Sequence, residues 1–212
     1  MKKNKGKLIV IEGGDGCGKS TQVDMLESYL KEKHFRTVRT HEPGGTKVGE
    51  GIRNLVLSAD IKKNVRTELF LFEAARSQLV ADVIKPALKK GKIVLTDRWY
   101  YATEAYQGYG GGLDLGIINL FNYTATQGIH ADLSIIIDIP PKKGLRKIVT
   151  TEFGKKDHFE SKDLKFHKKV NNGYREIAAN YPGMKVIKYI DGNPRLMHKE
   201  IKGYVNEFLG IK

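Results

Sequence analysis

Short apolar runs and amphipathic stretches alternate along the whole chain, and each kind predicts a different element. Residues 8–11 (Leu-Ile-Val-Ile), 36–40, 93–96, 133–137 and 186–190 have the length and β-branched content of buried strands. Between them, Val23, Leu26 and Leu30 recur on one helical face. In a helix beginning near Val65, Leu69, Phe72, Arg76 and Leu79 do the same. Residues 164–179 and 196–209 are again amphipathic. Shorter helices are expected through Glu50, Arg53 and Leu57, from Tyr100 to the glycines at 108 and 110–112, and from Gly144 to 149. Pro86 is expected to kink or stop the long helix, because it lacks an N–H. Strand and helix in alternation predict an α/β fold, a mainly parallel sheet with helices on both faces.

The first strand runs into Gly13-Gly14-Asp15-Gly16-Cys17-Gly18-Lys19-Ser20, followed by Thr21 and an amphipathic helix. This is the phosphate-binding pattern G-x-x-x-x-G-K-[ST] in the context it requires. Glycines let the backbone wrap phosphate oxygens, and loop N–H groups and the helix start supply positive partial charge. Lys19 adds a full charge, and Ser20 offers a hydroxyl to Mg²⁺. Such a loop serves kinases, GTPases, motors and ATPases alike. No Asn-Lys-x-Asp base-reading motif is present, and 212 residues are few for a motor or transport ATPase.

That length suits one domain spanning 1–212. No stretch approaches ~20 uninterrupted apolar residues, so no membrane helix is expected. The basic start is followed by an apolar segment that ends at Glu12, too short for a secretory leader. A single cysteine, Cys17, excludes an internal disulfide and fits a reducing cytoplasm. The net charge of +13 implies anionic partners. The Lys and Arg residues are scattered and not interleaved with aromatics, which argues against nucleic acid. Cys17 lies near a helix start, where a thiol pKa tends to fall; it can equally be a small filler side chain.

The third strand closes on Asp97-Arg98, at the sheet end where ligands of such folds sit. Asp97 could hold Mg²⁺ through water and Arg98 could grip an acceptor phosphate, or the two could form a plain strand-end salt bridge. Phe72 and Arg76, four apart, share a face and could stack on a base and bond its edge. Spacing alone describes a core phenylalanine with a surface arginine just as well. Thr103, Tyr106 and Gln107 likewise share a face, as any amphipathic helix would arrange.

Taken together, these residues resemble the thymidylate (dTMP) kinases over nearly the whole length. Glu12-Gly13-x-Asp15-Gly16-x-Gly18-Lys19-Ser20-Thr21-Gln22 is similar to the family's first motif. Glu42-Pro43-Gly44-Gly45-Thr46 with Gly49-Glu50-x-Ile52-Arg53 resembles its second. Asp97-Arg98 with Ala105-Tyr106-Gln107-Gly108-Tyr109-Gly110 resembles its third. The resemblance implies a five-stranded parallel sheet of the nucleoside monophosphate kinase type, with a lid near 149–161. It implies Mg²⁺-dependent transfer from ATP to dTMP, giving ADP and dTDP, and a homodimer packed through helices. Phe72 would stack on thymine and Arg76 bond its edge. Thr103 and Gln107 would approach the base, and Tyr106 would crowd the sugar 2′ position. Arg53 and Arg98 would hold the acceptor phosphate, the Glu42-Pro43 turn would shape its site through a cis peptide, and Asp15 would lie between donor and acceptor. Lys19 and the loop from Gly13 to Thr21 would bind ATP, with Mg²⁺ on Ser20 and, indirectly, Asp97. Alternatives are a kinase for another nucleoside monophosphate or deoxynucleoside, a nucleotide-binding regulatory protein that has lost transfer, and a nucleic-acid-associated NTPase.

The chain departs from the family at Trp99 (usually tyrosine), Ala102-Thr103 (usually a serine pair) and His41 (often arginine). In the lid, Asp157-His158-Phe159-Glu160 stands for an Asp-Arg-x-x-Glu signature, and position 16 is not arginine. Arg146, Lys147, Lys155 and Lys156 remain as closing cations, with Lys147 the choice. A lysine is no equivalent fork, so slow turnover and a rate gain on His158→Arg are expected.

Overall fold

The computed structural model describes residues 5–148 and 157–211. Five strands, β1 (Lys7–Gly13), β2 (Thr37–His41), β3 (Ile93–Asp97), β4 (Leu133–Asp138) and β5 (Lys185–Lys188), form one sheet in the order β2-β3-β1-β4-β5. Every neighbouring pair is parallel. Nine α-helices are described: α1 (Lys19–Glu32), α2 (Lys47–Leu57), α3 (Val65–Leu79), α4 (Lys85–Lys89), α5 (Tyr100–Thr103), α6 (Leu115–Thr126), α7 (Pro141–Ile148), α8 (Leu164–Asn180) and α9 (Pro194–Leu209). The central strands β1, β3 and β4 are buried on both faces, as parallel strands under helices must be, while the edge strands β2 and β5 are partly exposed.

Alternation along the strands divides the core in two. Leu8, Val10, Val94 and Ile136 pack with Leu79, Trp99, Tyr106 and Tyr174 on one side. Ile9, Ile11, Leu95, Ile135 and Ile137 pack on the other with Val23, Leu26, Leu30, Ile201 and Val205. Each such aliphatic side chain contributes about 1.5–3 kcal/mol when fully buried.

Two segments differ from what periodicity predicts. The helix is not stopped by Pro86: a π-helical turn, Val80–Ile84, follows α3, and α4 continues to Lys89 with Pro86 in its first turn. The Lys85 N–H reaches back five residues to the Val80 carbonyl. Widening the helix here places proline where a missing N–H is tolerated. A second π-helical segment, Glu104–Gly110, extends α5 and changes the angular spacing of Tyr106 and Gln107. Among the described residues, no helix is long and apolar enough to cross a membrane.

That second π segment also buries Glu104, which is 4 % exposed and accepts from the Tyr181 hydroxyl at 3.4 Å. Burial pushes its carboxyl from an ordinary 4.5 up to about 7. Between those values the unfolded chain has lost this proton and the folded chain keeps it, so Glu104 makes stability fall as pH rises. Glu104→Gln should reduce that slope by its own share, leaving the part due to Glu12 and Glu42, and stabilise the protein at pH 8 by on the order of 1–3 kcal/mol. Denaturant melts at pH 5 and pH 8 measure it, and an undiminished slope in the variant would refute the assignment.

Candidate active site

The phosphate loop follows from close approach of backbone to backbone. A Cβ on Gly13 would lie 2.5 Å from the Ile137 carbonyl oxygen, and one on Gly16 2.3 Å from that of Gly144. Gly18 caps α1 in the left-handed region, at φ 89°, and offers no side-chain acceptor. Helices α2, α3, α6, α8 and α9 are capped by Thr46, Asn64, Asp114, Asp163 and Asn193. The first N–H groups of α1 are thus left for an anion. Lys19 is nearly buried and its Nζ donates to the carbonyls of Gly13 and Gly14, both at 3.1 Å. Ser20 and Thr21 are exposed in the first turn of α1, and Ser20 Oγ donates to Asp97 Oδ2. Two hard oxygen donors in contact suit Mg²⁺.

Arg98 is the residue around which the loop and a second cavity meet. It has φ 73°, uncommon for a side chain with a Cβ. Its N–H donates to the Ile11 carbonyl, its own carbonyl accepts from Thr96 Oγ1, and the next N–H, of Trp99, donates to Glu12 Oε1 at 2.7 Å. Its guanidinium reaches the Gly13 carbonyl, Asp15 Oδ1, and the hydroxyls of Tyr106 and Tyr174. Burial would raise the Asp15 pKa, but the charges of Arg98 and Lys19 outweigh it and hold it below the usual value. Burial lifts Glu12 to about 7, against the pull of Arg98 and the bonds from Trp99 and Tyr174.

Beyond Arg98 opens a cavity of about 500 Å³. Asp15, Gly16, Lys19 and Ser20 border it on the loop side. Glu42, Pro43, Arg53, Phe72, Arg76, Asp97, Arg98, Thr103, Tyr106 and Gln107 border the rest, so every expected acceptor residue meets there. The Glu42-Pro43 peptide is cis, and Arg53 donates to the Pro43 carbonyl at 2.8 Å. Arg76 is no surface arginine. It is 2 % exposed, its guanidinium lies 5.8 Å from the Trp99 ring centroid, and its donors are taken by Glu42, Glu73, Asn122 and Thr103.

Other expected residues are placed elsewhere. Lys147, on α7, is not brought to the cavity: its Nζ donates to the Tyr189 hydroxyl at 2.6 Å. Cys17 is fully buried in the core beneath the loop, and burial pushes its thiol up, so it is the small filler and not an activated nucleophile. Residues 149–156 of the expected lid, with Lys155 and Lys156, lie outside the described residues. His158 is turned to Glu68, its Nε2 2.7 Å from Oε1, while its N–H donates to the Leu57 carbonyl. Phe159 closes over the cavity against Phe72 and Tyr106, both with ring centroids 5.7 Å away. Sequence reasoning missed Phe159, Arg39, Glu68 and the clamp role of Glu12. Glu12 and Glu68 carried one signal: an acid inside an otherwise buried face.

A glycine cradle at a helix start, facing a second cavity across one arginine, is the layout of a P-loop kinase for a small second substrate. That is the class this fold defines. Comparison with known proteins makes it specific: the thymidylate kinase family model matches residues 11–201, and the chain belongs to that family. A thymidylate kinase of Thermoanaerobacter sp. (strain X514) is 41 % identical over 207 residues, covering 97 % of this chain and all of the relative. One from Geotalea daltonii is 43 % identical over 193 residues, covering 88 % and 89 %. The crystal structure of thymidylate kinase from Ehrlichia chaffeensis superposes with a TM-score of 0.77 at 32 % identity, covering 94 % of this chain and 98 % of that one.

The aim of His158 removes the reason to expect a gain from arginine there. An arginine at 158 would meet Glu68 and stay there, since the buried carboxylate satisfies its fork. The expected result for His158→Arg is a kcat unchanged within about twofold; a clear increase in a steady-state assay would show that the side chain reaches the phosphates.

Proposed function

We propose that this chain transfers the γ-phosphoryl group of ATP to dTMP, giving ADP and dTDP, with the two nucleotides meeting at Arg98. The observation that carries the reading is the convergence of the uncapped α1 start and the second cavity on that one guanidinium. The loop from Gly13 to Thr21 and Lys19 would hold the ATP phosphates. Arg98 and Arg53 would hold the acceptor phosphate, with Asp15 positioning Arg98 from the loop side. Phe72 would lie against the base, Arg76, Thr103 and Gln107 would define its edge, and Tyr106 would crowd the sugar. Glu42 and Pro43 would shape the acceptor wall.

Ser20 and Asp97 would hold Mg²⁺, which when bound draws charge from the phosphates. The acceptor is already an anionic phosphate, so no general base is required. Catalysis then rests on alignment and on cations set between like charges. Lys147 would have to leave Tyr189 to act as a closing cation. A reducing cytoplasm suits the one buried thiol.

A second copy of the chain would cover the apolar face of α3 and α6. Phe70 is 54 % and Leu120 65 % exposed there, with Ile117 and Tyr123 beside them and Phe70 packed edge-on to Phe121 at 5.2 Å. An isologous helix-on-helix contact buries such a face against itself. Leu120→Glu should therefore halve the mass in sedimentation while leaving the fold intact; an unchanged mass would count against this interface.

The reaction itself is tested by coupled assay across nucleoside monophosphates. Lys19→Ala should abolish turnover, and Phe72→Ala should raise KM for dTMP by about tenfold or more with a smaller effect on kcat. ATP hydrolysis indifferent to dTMP would overturn the reading.

A further inference from the structure

Glu68 lies on α3, 2 % exposed, and does not itself line the cavity. Its Oε2 accepts from Gln107 Nε2 at 3.0 Å, and its Oε1 accepts from Lys162 Nζ at 3.2 Å with His158 Nε2 at 2.7 Å. A glutamine amide can face a neighbour with either end, but a carboxylate only accepts. The NH₂ of Gln107 is therefore the end turned to Glu68, and its carbonyl oxygen is the group left for the cavity.

Thr103 is set in the same way from the other side. Its oxygen accepts from an Arg76 Nη at 3.0 Å, which fixes the side chain and leaves it the hydroxyl hydrogen and a second lone pair. Arg76 is itself held by Glu42, Glu73 and Asn122, so the bond to Thr103 comes from a fixed guanidinium. The cavity wall thus presents an acceptor at 107 beside a hydroxyl at 103 that can donate or accept. An imide edge, N–H next to C=O, is the complement of that pair. A cytosine edge puts a bare ring nitrogen where the imide has N–H and would leave the Gln107 oxygen facing another acceptor.

We infer that Glu68 is a positioning residue for substrate selection: by holding the Gln107 amide in one orientation it makes the site accept thymine and reject cytosine. The inference rests on the reading of this cavity as the base site. The same carboxylate grips Lys162 and His158, which flank Phe159, so the segment closing the cavity and the amide reading the base share one clamp.

The test is the ratio of kcat/KM for dTMP to that for dCMP. In Glu68→Gln the new amide can face Gln107 with either end, so the orientation is no longer forced. The ratio should fall by about tenfold, the value of one hydrogen bond reversed, and the change should appear in KM. Glu68→Asp, which keeps the charge for Lys162 but withdraws it from Gln107, should give the same fall and serves where the glutamine variant does not fold. Gln107→Met should lower the ratio too, and Glu68→Gln added to it should lower it no further. A merely structural Glu68 would depress both substrates in parallel; an unchanged ratio, or a second fall in the Gln107→Met background, overturns the inference. Phe72→Ala separates the two levels: if that variant leaves KM for dTMP unchanged, the base-site reading is what has failed.

Discussion

Parallel pairing of Ile11 with Asp97, at the ends of β1 and β3, is the constraint on which the site depends. It puts Glu12 and Gly13 level with Arg98 and lets Glu12 take the Trp99 N–H. Holding a non-glycine residue in the left-handed region costs about 1–3 kcal/mol, and it persists only where the surroundings over-determine it. Here Ile11, Thr96 and Glu12 grip the backbone on both sides of Arg98. Only from that backbone does the guanidinium reach Gly13, Asp15, Tyr106 and Tyr174 together. Since side chains alternate faces, a slip of one residue would turn Arg98 away and empty the centre of the site.

Around this point the protein buries acids in unusual number and uses each as an orienting group. Glu12 fixes the Trp99 N–H and the Tyr174 hydroxyl. Glu42 and Glu73 lock Arg76, and Glu68 locks Gln107. Low dielectric makes each of these bonds strong and each unpaired acid expensive. Glu12 and Glu42 are accordingly pushed by burial to about 7, in spite of the arginines beside them. The arrangement sacrifices some stability near neutral pH for side chains that are already aligned when phosphates arrive, which is where a kinase with no general base must find its rate.

Much of this was legible beforehand, and for local reasons. Five strands, the glycine loop, Asp97-Arg98 at a strand end and Phe72 beside Arg76 are all carried by residues close in sequence. Periodicity and turn chemistry act over such distances. The misses were long-range. Pro86 read as a kink or a stop because periodicity says nothing of the π turn ahead of it, which lets α4 run on to Lys89. His158 read as a deficient arginine because its partner, Glu68, lies 90 positions away. Lys147 read as a closing cation because Tyr189, which holds it in this structure, lies 42 positions away, just past β5.

Residue order alone thus determined where most strands and helices fall, that the loop after β1 carries a phosphate-binding pattern, and to which family the motifs point. Each follows from backbone sterics, side-chain period and a handful of neighbouring residues. Tertiary structure decided which way the polar groups face: that Arg76 is buried among Glu42, Glu73 and Asn122, that the Gln107 amide meets Glu68, and that Cys17 lies in the core. Orientation is set by partners brought together only when the sheet forms and water is excluded, so no reading of one segment at a time contains it.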